Sequence, residues 1–194
     1  MSVTFHTTAF VLRTINQGEH DRRAHLYSLD RGKLDVFIKS ARKFASKLTP
    51  HVEPLTIVDC YVARGRIDHL AGVERLDRFS GVRGSLPRFA AAAWAAETVD
   101  LLTKWDHADP RIFHLLSSWC VFIDQLSTDR VSERLRLKFF LTLLSYLGYG
   151  LQWHACIKCR VSAHDYWAVQ PTEGGVICGT CTADPLFSLA ITNR

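Results

Sequence analysis

Residues 32–40, GKLDVFIKS, decide how the first part of the chain is read. Leu34, Val36 and Ile38 alternate with Lys33, Asp35, Phe37 and Lys39, which is the period of a strand with one buried face. The same character extends to both sides. FHTTAFVLRTI and AHLYSL precede this stretch, and PLTIVDCYVAR and IDHLAGVERLDRF follow it. All are rich in β-branched and aromatic residues, and the turn-like pieces NQGEHD, LDRG and ARGR separate most of them. Five short strands in about 80 residues is the strand count of an OB-fold barrel. An SH3-like barrel has the same count. The exposed face of an OB barrel commonly holds single-stranded nucleic acid, with basic residues on the backbone and aromatics stacked on bases.

Beyond residue 86 the period changes to that of helices. FAAAAWAAETVDLLTKW is rich in alanine and leucine, both strong helix formers. Asp109-Pro110 opens the next segment as N-cap and first helical residue. That segment places Ile112, Leu115, Leu116, Trp119, Phe122 and Ile123 three and four apart. A third, VSERLRLKFFLTLLSYLGYG, carries Leu135, Phe139, Thr142, Leu143 and Tyr146 on one side, and Gly148 and Gly150 can end it. Such broad stripes suit a packed bundle, so core is the expected place of Trp94, Trp105 and Trp119. The Gly/Ser/Pro stretch 81–87 is the expected boundary. It divides the chain into an OB-fold domain, 1–80, and a helical domain, 81–194, that contains a cysteine knuckle at 154–183.

That knuckle, CIKCRVSAHDYWAVQPTEGGVICGTC at 156–181, holds four of the six cysteines as two C-x-x-C pairs. A two-residue gap lets one tight turn aim two thiolates at one ion, and two such turns complete the tetrahedron that zinc accepts. Cys156, Cys159, Cys178 and Cys181 are therefore the expected ligands of one structural zinc ion, with no open coordination position. Gly174-Gly175 would turn a hairpin that brings the pairs together. No βαβ pattern of a thioredoxin-like redox centre surrounds either pair. A mixed site with His154 or His164 is the lesser alternative. His51-Val52-Glu53 supplies an H-x-E, but no P-C-x-x-C follows, so a base deaminase is rejected. Cys60 and Cys120 are expected to be buried and inert.

The charge balance, +5 at neutral pH, is uneven. Residues 1–80 carry 13 Lys/Arg against 9 Asp/Glu, and between 31 and 47 six basic residues face only Asp35. A concentrated basic segment points to a polyanion. The candidate phosphate contacts are Arg13, Arg22, Arg23, Lys33, Lys39, Arg42, Lys43, Lys47, Arg64 and Arg66, with Phe37 and Phe44 as possible stacking residues. No apolar run reaches membrane-span length, and the N-terminus lacks the pattern of a signal peptide, so the cytoplasm is the expected compartment. No phosphate-binding loop or dinucleotide fingerprint is present.

The order of parts, together with FVLRTINQGEHDRRAHLYSLDRGKLDVFIKSARK, SKLTPHVEPL and the cysteine segment, resembles the RecO family of bacterial recombination mediators. The resemblance covers roughly residues 5–181. It implies binding of single- and double-stranded DNA and annealing of complementary strands. It also implies action with RecR in loading RecA onto DNA coated by single-strand-binding protein, whose acidic C-terminal tail would be met in the helical part by Arg134, Arg136 or Lys138. It implies no nucleotide, no catalytic residue and a nucleoid-associated protein. The family continues into more helix after the knuckle, whereas 13 residues follow Cys181 here. Two other classes remain: a metal-dependent DNA-processing enzyme, which would need clustered acids, and an interaction module without DNA binding.

Overall fold

The computed structural model describes residues 3–42, 49–182 and 189–192. The chain forms two compact units, Met1–Leu143 and Leu144–Arg194.

The first unit begins with a closed barrel. Its strands are β1 (Thr4–Gln17), β2 (Asp21–Ser28), β3 (Gly32–Ile38), β4 (Ile57–Ala63) and β5 (Asp68–Asp77), in the order β1-β2-β3-β5-β4. β1 pairs with both β2 and β4, and β3 runs parallel to β5 at Val36–Asp68 and Phe37–His69. This is the five-stranded Greek-key arrangement of the OB fold, so the SH3-like alternative falls away. A register shift between Val11 and Arg13 marks an irregularity where β1 bends around the barrel. Leu34, Val36 and Ile38 point into the core beside Ala9, Val11, Leu26, Val58 and Val62, as the alternation requires. Lys33 breaks the pattern, because it too is buried.

Four helices follow: α1 (Ser80–Arg83), α2 (Leu86–Leu102), α3 (Pro110–Gln125) and α4 (Glu133–Tyr146). Asp109 caps α3 through Oδ1, which accepts the Arg111 N–H at 2.9 Å. The alanine face of α2, with Ala91, Ala92, Ala95 and Ala96, is buried and lets neighbours approach closely. One of them is Trp119, whose indole N–H donates to the Ala91 carbonyl at 3.2 Å. Phe139 of α4 packs against Trp94 and Trp119. The 81–87 stretch is not an open linker. The Val82 N–H donates to Asp124 Oδ1 at 2.7 Å, and the Arg83 guanidinium donates to the Pro54 carbonyl at 2.7 Å. Cys60 and Cys120 are fully buried, and burial pushes both thiols up, Cys60 to about 12.

A buried charge cluster ties the barrel to α2. Asp100, near the end of α2, is 7% exposed. Its Oδ1 lies 3.0 Å from His25 Nδ1 and 3.5 Å from the Lys33 ammonium, and its Oδ2 lies 2.9 Å from Arg13 Nε. His25 Nδ1 is also 3.0 Å from Arg13 Nε. The Arg13 Nε–H donates to that nitrogen, and the guanidinium charge lies beside the Asp100 carboxylate. The Lys33 ammonium further donates to the Asp100 backbone carbonyl and sits 4.3 Å from the centre of the Trp105 ring. Gly32 completes the seam. Its φ is +72°, and a Cβ there would lie 2.1 Å from the His107 carbonyl oxygen, so only glycine lets the chain after α2 close on the barrel.

The second unit carries a three-stranded sheet of β6 (Tyr166–Gln170), β7 (Gly175–Cys178) and β8 (Leu189–Thr192), in the order β7-β6-β8. Gly174, at φ +76°, supplies the left-handed residue of the β6–β7 turn. Among the described residues, the stretch after the knuckle contains β8, which pairs with β6. Among the described residues no helix is long and apolar enough to cross a membrane.

The tie yields a direct expectation. Asp100→Ala leaves Lys33 buried without its carboxylate and is expected to destabilise the first unit by about 3–5 kcal/mol. Urea denaturation followed by circular dichroism measures this. A loss under about 1 kcal/mol would show that the cluster is not a buried ion group.

Candidate nucleic-acid interface and metal centre

Most of the basic residues singled out from the sequence fall into three groups, of which the described residues include two. Arg22, Lys39 and Arg42 gather where the β1–β2 turn meets the turn after β3. There the Ser40 N–H donates to Asp21 Oδ1 at 2.7 Å, and the Arg42 N–H donates to the His20 carbonyl at 2.8 Å. Arg22 Nε donates to Asn16 Oδ1 at 3.0 Å, and an Arg42 N–H donates to the Gly18 carbonyl at 3.3 Å. Lys39 and Arg42 are exposed.

The second group lines a cleft of about 360 Å³ beside the β4–β5 loop. Arg23, Lys33, Arg64 and Arg66 meet there with Asp35, Asp68, Asp106 and Trp105. Most of these charges are paired. Arg23 holds Asp35, and Arg64 lies 3.1 Å from Asp106 and 3.5 Å from Asp68. Arg66 is exposed, with no ion pair among the described residues. Lys33, expected among the exposed phosphate contacts, is buried at the back of this cleft. Its charge faces Asp100 inside the protein and is not presented to a ligand. Arg13, though half exposed, is likewise engaged with Asp100. The third group, Lys43 and Lys47 with the candidate stacking residue Phe44, lies outside the described residues. Phe37 is half-buried, with its ring 5.4 Å from that of His69.

Two residues of this region escape a reading of pattern alone. Trp105, expected in the core, is 47% exposed. Asp100 and Glu97 interrupt the apolar helical stretch 89–102, and nothing local distinguishes the buried Asp100 from Glu97, which is exposed.

In the second unit the four cysteines converge. Their Sγ atoms all lie within 4.8 Å of one another, and Cys159 and Cys178 approach to 3.5 Å. Sulfurs at the corners of a tetrahedron with 2.3 Å arms are about 3.8 Å apart, so the cluster has the size of a metal site. Each pair sits on a tight turn: the Arg160 N–H donates to the Cys156 carbonyl at 2.9 Å, and the Cys181 N–H donates to the Cys178 carbonyl at 3.0 Å. Sulfurs this close cannot all be thiolates unless a cation screens them. Burial raises the Cys156 thiol, but backbone N–H groups of Cys159, Cys178 and Lys158 outweigh it and bring it to about 6. The Thr180 hydroxyl and neighbouring groups lower Cys178. Proton sharing with Cys159 and Cys178 pushes Cys181 up to about 12. A divalent ion resolves that conflict, and four soft sulfurs suit it. His164 is occupied elsewhere, as its Nδ1 accepts the Tyr166 N–H at 3.2 Å.

A closed OB barrel, a helical region and a tetracysteine β-hairpin together define an OB-fold protein with a four-cysteine knuckle. Family comparison places it further. Residues 1–79 match the family described as Recombination protein O N terminal, and residues 83–194 match Recombination protein O C terminal. The chain belongs to the RecO family. It is 32% identical over 176 residues to the DNA repair protein RecO of Pelobacter propionicus, covering 90% of this chain and 70% of that one. It is 34% identical over 188 residues to the protein of that name from Synechococcus elongatus, covering 93% and 70%. The corresponding protein of Cutibacterium acnes is 31% identical over 183 residues, covering 92% and 74%.

Cys156→Ala is expected to abolish metal binding at the four-cysteine cluster and to loosen the second unit. Elemental analysis of the purified protein, and near-ultraviolet circular dichroism of the region around Trp153 and Trp167, report the two effects. Unchanged metal content with an unchanged spectrum would contradict the ligand assignment.

Proposed function

We propose that this chain is a recombination mediator that binds single- and double-stranded DNA on its barrel and anneals complementary strands. With RecR it helps load RecA onto DNA coated by single-strand-binding protein. The observation that carries this reading is the family match across 1–79 and 83–194, whose relatives are DNA repair proteins. The barrel supports it physically. OB folds hold oligonucleotides on the β2–β3 face and on the loops joining β1 to β2 and β4 to β5, and the basic groups described above lie at those places. Residues 1–80 then act as the nucleic-acid-binding domain and 81–194 as the helical domain with its knuckle.

Contacts of this kind are made to phosphate, so affinity is sequence-independent and falls with salt. Lys39, Arg42 and Arg66 are the best-presented candidates, followed by Arg22, Arg23 and Arg64, whose present partners would have to share them. Lys43 and Lys47 belong to the same proposal through their position in the sequence. One zinc ion on Cys156, Cys159, Cys178 and Cys181 staples the second unit and takes no part in a reaction. In the helical region a groove beside α4 is lined by Trp94, Leu137 and Phe140 with Arg134, Arg136 and Glu133, the last two paired at 2.9 Å. Its mixture of apolar and basic groups suits the acidic, aromatic-ended tail of single-strand-binding protein. The protein acts by holding strands, without a bond-making step, in the cytoplasm at the nucleoid.

Replacing Lys39, Arg42 and Arg66 together by glutamate is expected to weaken binding of a labelled single strand at least tenfold. The slope of log affinity against log salt should flatten by about 2, at roughly 0.7 per lost phosphate contact. Unchanged affinity and slope would remove these residues from the interface. Annealing of strands coated by single-strand-binding protein, with and without RecR, tests the mediator role. Metal-dependent cleavage of labelled DNA in the same assay would favour an enzyme instead.

A further inference from the structure

Trp105 combines two properties that seldom occur together, exposure and rigidity. It is 47% exposed, yet its position is fixed from several directions. Its backbone bridges to Lys33 of β3, and the Asp106 N–H donates to the Lys33 carbonyl at 3.0 Å. One ring face lies over the Lys33 ammonium at 4.3 Å, and His25 meets the ring edge-on, centroids 4.8 Å apart at 87°. The close approach at Gly32 holds the following residues against the barrel. An aromatic ring pinned in this way loses little further freedom when a ligand covers it.

The surroundings define the ligand. The ring borders the cleft beside the β4–β5 loop, one of the places where OB folds hold nucleic acid. On the open side Arg23, Arg64 and Arg66 are balanced by Asp35, Asp68 and Asp106. Lys33 is matched by Asp100 beneath. The cleft thus carries nearly balanced charge, with Arg66 as its one arginine outside an ion pair among the described residues. It offers a fixed π-face, with guanidinium groups nearby, to a flat uncharged group.

We propose that Trp105 is the stacking platform for one base of a bound single strand, at the junction between barrel and helices, with the arginines of the cleft beside it for the adjoining phosphates. This rests on the nucleic-acid reading above and adds the residue that takes a base. Since stacking involves no counterion release, its contribution should be insensitive to salt.

The test compares wild-type protein, Trp105→Ala and Trp105→Phe on oligothymidylate and on an abasic oligomer of equal length. Trp105→Ala is expected to weaken oligothymidylate binding about tenfold without altering the salt slope. It should have little effect on the abasic oligomer, and Trp105→Phe should recover most of the loss. Equal losses on both oligomers would show that Trp105 acts only through the fold, and would overturn the proposal. So would tight wild-type binding that Trp105→Ala leaves unchanged, in which case the nucleic-acid reading stands. Failure of wild-type protein to bind either oligomer would overturn both.

Discussion

A carboxylate buried at 7% exposure must be neutralised where it lies, and Asp100 is neutralised by the barrel. Lys33, His25 and Arg13 come from three consecutive strands, while Asp100 comes from the first long helix. Neither the barrel nor α2 can bury its share of this cluster alone. The two are therefore held in one arrangement, and the chain after α2 follows, with Trp105 over Lys33 and His107 against Gly32. Buried ion groups of this sort add little net stability compared with a well-packed apolar substitute, but removing one partner is costly. What the cluster contributes here is geometry. It sets the edge of the cleft beside the β4–β5 loop.

That constraint gives Arg31-Gly32-Lys33, one of the motifs that mark the family resemblance, a physical meaning. It reads most naturally as a basic turn, and so Lys33 joins the candidate phosphate contacts. In the structure the glycine permits a close backbone approach and the lysine is the buried counter-ion of a distant helix. Local sequence could not show this, because Asp100 is 67 residues away. The alternation in GKLDVFIKS places Leu34, Val36 and Ile38 correctly, since period 2 depends only on one face being covered. It assigns Lys33 to the solvent side, where α2 and Trp105 turn out to lie. Trp105 was hidden for the converse reason. Aromatic residues in a helical stretch are usually core, as Trp119 is, but Trp105 lies beyond the end of α2.

The cysteine cluster was legible because its geometry is local. Two tight turns and a hairpin closed at Gly174 bring four sulfurs within 4.8 Å, and each step has a sequence signal. The strand β8 had no such signal, since its pairing to β6 is made by backbone groups that any sequence supplies. The division of labour that emerges is simple. In the function proposed above, charge at the exposed turns attracts a polyanion, while charge in the seam fixes the fold of the first unit and the four-cysteine knuckle orders the second.

The central claim is that the Lys33 charge serves the seam and not the ligand. Replacing Lys33 by Met and Asp100 by Asn together removes the ion pair at nearly unchanged volume, and the salt dependence of single-strand binding by that protein tests the claim most directly. A folded protein whose salt slope matches the wild type is the predicted result. A slope flattened by about 0.7, as for one lost phosphate contact, would contradict it.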